Sequence, residues 1–169
     1  SLSSAAGAIL NLDQTRFNPV KVGISKEGKW YLYKGDTEKL LNDTWENAED
    51  CSPAVLSPNR WENTLLVFDK TGITRIPVDV ALPILHGRNG EDGTLQGLIE
   101  LSGLPLAGCG TLASALCMDK DRAHKLVSLA GIAVPKSVVL EENTASARQK
   151  ILDTLTFPVF VKPVRAGSS

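Results

Sequence analysis

The stretch 78-VDVALPILHGRNGEDGTLQGLIELSGLPLAG-108 decides how the chain is read. Val78, Val80, Leu82, Ile84 and Leu85 form a short, nearly continuous apolar run, the pattern of a strand buried on both faces of a parallel sheet. Pro83 near its end marks an edge or a strand terminus. After His86, Gly87, Gly90 and Gly93 recur at every third position with Glu91 and Asp92 between them. Such a loop can turn sharply and approach a ligand closely. Asp92 or Thr94 can cap a helix whose apolar positions Leu95, Leu98, Ile99 and Leu101 follow helical spacing, and Gly103 and Pro105 stop it. Strand, glycine loop and helix start, in that order, put the loop at the carboxyl end of a strand, where open α/β sheets bind ligands. A solvated turn with an incidental histidine fits the same pattern, and spacing alone does not separate the two.

Outward toward the amino end, 17-FNPVKVGISKEGKWYLY-33 alternates, turns at Glu27-Gly28 and continues into an aromatic run, which reads as a hairpin. Leu65 to Phe68 and Ile73 to Ile76 flank Thr71-Gly72 and read as a second hairpin. The small-residue run Ser1 to Leu10 suits a closely packed helix. Between Lys34 and Asn63, Ser-Pro pairs, acids and asparagines predict loops with one short helix at Thr37 to Asn42. Toward the carboxyl end, Leu104 to Ala107 reads as a short strand, followed by a tight turn at Gly108-Cys109-Gly110. A helical pattern then runs from Thr111 to Ala130 and ends at Gly131 with Pro135 beyond. The segment 131-GIAVPK-136 marks a boundary, after which a strand at Ser137 to Leu140, a helix from Thr144 to Leu155 capped by Asn143 or Thr144, and a strand at Phe157 to Lys162 form a β-α-β tail.

Composition narrows the function classes. The 169 residues allow one domain, or one and part of another, and 43% hydrophobic content supports a real core. A net charge of −1 with no Lys/Arg run leaves nucleic acid without a basic field. Cys51, Cys109 and Cys117 are odd in number and lack CxxC pairing, so neither a disulfide framework nor a zinc site is indicated, and reduced, partly buried thiols are expected. No apolar stretch reaches the length of a membrane span and the beginning lacks signal-peptide regions, so the cytoplasm is the default. Both ends look abrupt, and we expect a fragment of a longer protein.

Several residues can carry chemistry. Lys162, fixed at a strand end before 163-PVRAGSS-169, can bind phosphate: the ammonium supplies charge, and backbone N–H groups and hydroxyls supply donors. No GxxxxGK[ST] precedes a helix, so this is not the Walker pattern, and a surface lysine beside an ordinary loop remains the alternative. Lys120 lies in 118-MDKDRAHK-125, where Asp119 and Asp121 near a helix start suit its dipole and a solvated charged face is the simple reading. His124 reads as a surface residue. His86 closes an apolar run and starts the glycine loop. No serine or cysteine neighbours it in a nucleophile motif, so a hydrolytic triad has little support.

Together, 85-LHGRNGEDGTLQG-97, 117-CMDKDRAHK-125 and 160-FVKPVRAGSS-169 resemble the D-alanine-D-alanine ligase family of ATP-grasp enzymes. Within it, 116-LCMDKDRAHKLVSLAGIAVPKSV-138 looks particularly like the D-Ala-D-Ser ligases of vancomycin resistance. The resemblance implies an α/β fold: an N-terminal open parallel-sheet, Rossmann-like domain over residues 1–113, missing its first strand, followed by the start of an ATP-grasp domain over residues 114–169. It implies a ligase for peptidoglycan precursors, in which ATP phosphorylates the carboxylate of one D-alanine and the amine of a second D-amino acid attacks the acyl phosphate. By motif position, Lys120 and Lys162 would contact ATP phosphates, and Ser168 and Ser169 would belong to the loop closing over the transferred group, with Ser168 catalytic and Ser169 at ATP. His86 would hold the first D-alanine, and Glu91 would support the site through a polar network. Arg88 and Asn89 fall at variable positions and receive no role. The implied Mg2+ ligands, the transition-state arginine and the loop selecting the second substrate are expected after Ser169, so no metal ligand is assigned here and this chain alone is expected to be inactive. Family members are usually homodimers through the N-terminal domain. The alternatives are an ATP-grasp ligase of other specificity and a non-catalytic α/β binding or dimerisation module.

Overall fold

A computed structural model describes residues 1–167; the roles expected of Ser168 and Ser169 lie outside the described residues. In chain order the elements are α1 (Leu2–Asn11), β1 (Val22–Ile24), β2 (Trp30–Tyr33), α2 (Thr37–Leu41), β3 (Cys51–Leu56), β4 (Thr64–Asp69), β5 (Gly72–Pro77), α3 (Thr94–Ser102), α4 (Thr111–Met118), α5 (Lys120–Leu129) and α6 (Ala145–Thr154). The chain forms two compact units, Ser1–Leu85 with Gln96–Cys109, and His86–Leu95 with the residues from Gly110 on.

The first unit is built on a five-stranded sheet in the order β1-β2-β3-β4-β5. All its pairings are antiparallel, with Gly23 opposite Tyr31, Leu32 opposite Ser52, Val55 opposite Leu66 and Leu66 opposite Arg75. The two hairpins expected from the alternating patterns are present. Their strands follow one another through connections too short for a crossover, and short connections can join only antiparallel neighbours. The α/β class is as expected, and the strands of both hairpins are antiparallel, as their alternating patterns predict. Parallel geometry among the described residues is confined to an isolated bridge, Ala81 with Leu106, where Ala81 N–H donates to Pro105 O (2.9 Å) and Ala107 N–H to Ala81 O (2.8 Å). The connection between those two residues contains α3 and is long enough to return the chain in the same direction. The strand expected over 78–85 shrinks to that bridge, with Val80 49% and Leu82 57% exposed instead of buried on both faces.

Side chains on the two faces of the sheet enter different apolar clusters, as strand periodicity requires. Tyr33 joins Ala6, Leu40 and Trp45 under α1 and α2, whereas the adjacent Leu32 joins Ala54, Leu65 and Val67. The first cluster explains a glycine: a Cβ on Gly23 would lie 2.2 Å from the Trp45 ring. Strand β3, where loops were expected, tolerates Pro53 because the ladder changes partner there. Residues 51–53 pair with β2 and residues 54–56 with β4, so the missing N–H falls at the handover.

In the second unit the helix expected over 111–130 is two helices. Asp119 breaks it, with extended backbone (φ −89°, ψ 101°) that ends α4 and caps α5. Its short carboxylate competes for backbone N–H groups and so favours a cap over a helix interior. Helix α6 forms as expected, with Thr144 Oγ1 accepting from Ala147 N–H at 3.2 Å. The strands expected at Ser137 to Leu140 and Phe157 to Lys162 do not form. Neither run has a ladder partner among the described residues, and Phe160 and Val161 are 92% and 94% exposed. Cys51 is partly buried as expected, whereas Cys109 and Cys117 are exposed.

Candidate functional site

The glycine loop and both ends of the second unit's polar cluster lie in one compact body. The loop closes on itself through a reciprocal pair: Gly87 N–H donates to Glu91 Oε2 at 2.6 Å, and Glu91 N–H donates to Gly87 O at 2.9 Å. Gly87, Asn89 and Gly93 take left-handed backbone, with φ of 76°, 65° and 93°. Asparagine is among the few side chains enriched in that region, which gives Asn89 a structural role. Asp92 fixes the exit. Its Oδ2 accepts from Asn89 N–H (2.8 Å), and its Oδ1 accepts from Thr94 N–H (3.1 Å) and the Thr94 hydroxyl (2.7 Å). Burial alone would raise the Asp92 carboxyl, but these donors outweigh it and hold it below the usual aspartate value. Of the two expected caps, Asp92 is the acceptor and Thr94 the donor.

Against this loop lies the segment that carries the third motif. A Cβ on Gly167 would meet Gly87 Cα at 2.9 Å and Glu91 Oε2 at 3.0 Å, so only a residue without a side chain lets the two backbones approach this closely. Lys120 reaches the same segment from the start of α5. Its N–H donates to Val164 O at 3.0 Å and its ammonium to Ala166 O at 2.5 Å, with Gly167 O at 3.5 Å. Glu91 and Lys120, far apart in sequence, thus both border Gly167. His86 is exposed at the entrance of the loop, and Lys162 is exposed on the extended run before Pro163.

Two residues with no role assigned from sequence complete the arrangement. Asp119 Oδ1 accepts from Arg122 N–H at 3.1 Å, and Oδ2 accepts from Arg165 Nε at 2.9 Å, with Arg122 Nε at 3.5 Å. The Arg122 N–H and then the Arg165 guanidinium hold the Asp119 carboxyl below its ordinary value. Its side chain is 9% exposed, against 71% for Arg165. Asp119 and Arg165 are 46 positions apart, a separation at which no periodicity links them. The readable signal was local: an aspartate directly before a helix start. These residues also line an open depression of about 510 Å³ with Arg88, Asp92, Met118 and Arg122. Among the described residues, no group of three or more His, Cys, Asp and Glu is placed to hold a metal ion.

Chemically, the arrangement brings a fixed ammonium, a glycine-bearing backbone and a self-closed acidic loop to one place, the equipment for holding a small anionic group. Comparison with known proteins bears out the family resemblance. Over its whole length the chain is 42% identical to the D-alanine--D-alanine ligase of Caldicellulosiruptor bescii, covering 47% of that protein. It is 43% identical to the vancomycin B-type resistance protein VanB of Enterococcus faecalis, covering 46% of it. The chain thus spans about half the length of the curated relatives it matches. Among solved structures, the VanG D-Ala:D-Ser ligase from Enterococcus faecalis superposes with a TM-score of 0.83 at 52% identity, over 99% of this chain and 48% of that one. The model of the D-ala D-ala ligase N-terminus matches residues 1–109, and the chain belongs to that family.

Proposed function

We propose that the protein carrying this chain is an ATP-dependent ligase that joins D-alanine to a second D-amino acid, D-alanine or D-serine, for peptidoglycan precursors. The observation that supports it most directly is the convergence on Gly167 of the Glu91 loop and the Lys120 ammonium. That convergence brings the motif expected to hold D-alanine to the motif expected to hold phosphate. Residues 1–113 serve as the substrate domain and residues 114–169 open the ATP-grasp domain.

ATP supplies the phosphoryl group that activates the D-alanine carboxylate. The residues present fit a phosphate chain: Lys120 contributes charge beside backbone that contains Gly167, and Lys162 contributes a second ammonium on the run leading to it. His86 orients the first D-alanine, and Glu91 holds the loop in shape by accepting from Gly87 N–H. Ser168 and Ser169 close over the transferred group, which keeps water from the labile acyl phosphate. Among the described residues no cluster of His, Cys, Asp and Glu forms a donor set for Mg2+. No helix among the described residues is long and apolar enough to cross a membrane, in keeping with a cytoplasmic ligase. A homodimer through the first unit completes the reading. The likeness to the VanG D-Ala:D-Ser ligase supports D-serine as an acceptor, and the likeness to the vancomycin B-type resistance protein VanB supports a part in vancomycin resistance.

The test is D-alanine-dependent phosphate release from ATP by the protein at its natural full length, with D-alanine, D-serine and D-lactate competing as acceptors. Lys162→Ala is expected to lose about a hundredfold or more in turnover, the scale of removing a charge that stabilises the transition state. Turnover in that variant equal to the unaltered protein's would refute the role given to Lys162.

A further inference from the structure

Helix α5 begins with a carboxylate that performs two tasks at once. Asp119 caps the helix through Arg122 N–H and, with its other oxygen, holds Arg165, which lies in the segment bordering the glycine loop. The neighbouring residue, Lys120, donates from both its backbone N–H and its ammonium to carbonyls of the same segment. Residues 164–167 are therefore gripped from one side by consecutive residues at a helix start. Gly167 meets the loop at Gly87 and Glu91. The helix start is anchored by its hydrogen-bonded cap, and Arg165 is the exposed, movable partner, so the carboxylate sets where the segment lies.

Resting on the ligase reading, we propose that Asp119 is a positioning residue. Through Arg165 it aligns residues 164–167 so that Lys120 and the backbone of this segment meet the phosphates of ATP in register. Asp119 does not touch substrate. Its effect reaches the site through Arg165 and the Val164 and Ala166 carbonyls. The charge matters beyond the cap, because a neutral amide can cap the helix equally well but cannot pair with a guanidinium.

Asp119→Asn separates the two tasks, since asparagine retains an acceptor for Arg122 N–H while losing the charge. In the full-length protein, this variant is expected to leave the Arg122 amide protected from hydrogen exchange. Exchange of the Lys120 amide and tryptic cleavage after Arg165 should accelerate about tenfold, the scale of losing one charge-assisted hydrogen bond. Arg165→Gln, which removes the tryptic site, should match it in Lys120 exchange, Arg165→Lys should restore part of that protection, and the double variant should exchange no faster than either single one. In the phosphate-release assay, KM for ATP should rise and KM for D-alanine should stay within about twofold. Unchanged Lys120 exchange and unchanged cleavage in Asp119→Asn would overturn the clasp. Faster exchange and cleavage with an unaltered KM for ATP would overturn its positioning role. If the unaltered protein shows no D-alanine-dependent phosphate release, the ligase reading fails by itself, and the positioning claim resting on it fails too, while exchange and cleavage still decide whether the ion pair holds the segment.

Discussion

The two compact units of this chain are held by different forces. In the first, a five-stranded antiparallel meander is sealed by apolar clusters in which Tyr33, Leu65 and Val67 are 2–3% exposed. In the second, α5 and α6 contain no buried residue, and Phe160 and Val161 stand in solvent. What orders it locally is polar: the Asp119 cap and ion pairs, the Lys120 contacts and the Glu91 and Asp92 loop closures. Burial is non-directional and makes a rigid platform, whereas hydrogen bonds and ion pairs fix particular atoms in particular places. The residues matched to ligase chemistry sit almost entirely in the polar unit. Under the ligase proposal the site opens for a nucleotide and closes over an intermediate, which such contacts permit more readily than a packed core does.

This contrast can be broken by substitution. Leu65→Ala should cost about 2–5 kcal/mol of stability, as for other buried leucines, and unfold the first unit at lower denaturant without altering tryptic cleavage after Arg165. Gly23→Ala should cost about 1–3 kcal/mol, because the new methyl must displace the Trp45 ring; denaturant titration followed by tryptophan fluorescence reads it directly. In the second unit, acid acts on the polar contacts themselves. The folded-state carboxyls of Asp119 and Asp92 lie below their ordinary value. Their stabilisation is therefore complete above the usual aspartate range and is lost as pH falls through the lower folded values. Amide protection at the start of α5, corrected for intrinsic exchange, should decline there, and Asp119→Asn should flatten that decline. Phe160→Ser should change stability by no more than about 0.5 kcal/mol, as expected of a side chain already in water. A larger loss would mean that an apolar contact supports the second unit after all.

Much of the meander is legible in the sequence. Short-range alternation and turn glycines predict both hairpins, since the pairing partners lie within a few residues of each other. Strand β3 escapes because Ser52-Pro53 reads as a loop, and its tolerance of proline depends on a change of ladder partner that no local pattern records. The same limit undoes the strands expected at 78–85, 137–140 and 157–162. An apolar β-prone run becomes a strand only when neighbours supply a ladder.

The candidate site divides along similar lines. His86, Glu91, Lys120 and Lys162 can be picked out because their motifs are contiguous, and the resemblance of the chain to one ligase family is borne out by the family match over residues 1–109 and by relatives aligned along its whole length. Asp119 and Arg165 are visible as charges but not as a pair. Sequence by itself determined the family, the two hairpins and the residue types available for phosphate and amino-acid binding, because each is encoded within one short stretch. Tertiary structure alone decided that β3 joins the two hairpins into one sheet, that a helix breaks at Asp119, and that Gly167 is brought against Gly87 and Glu91. Ladders, caps and ion pairs between distant residues depend on where the chain returns in space, and no periodicity along the chain specifies that return.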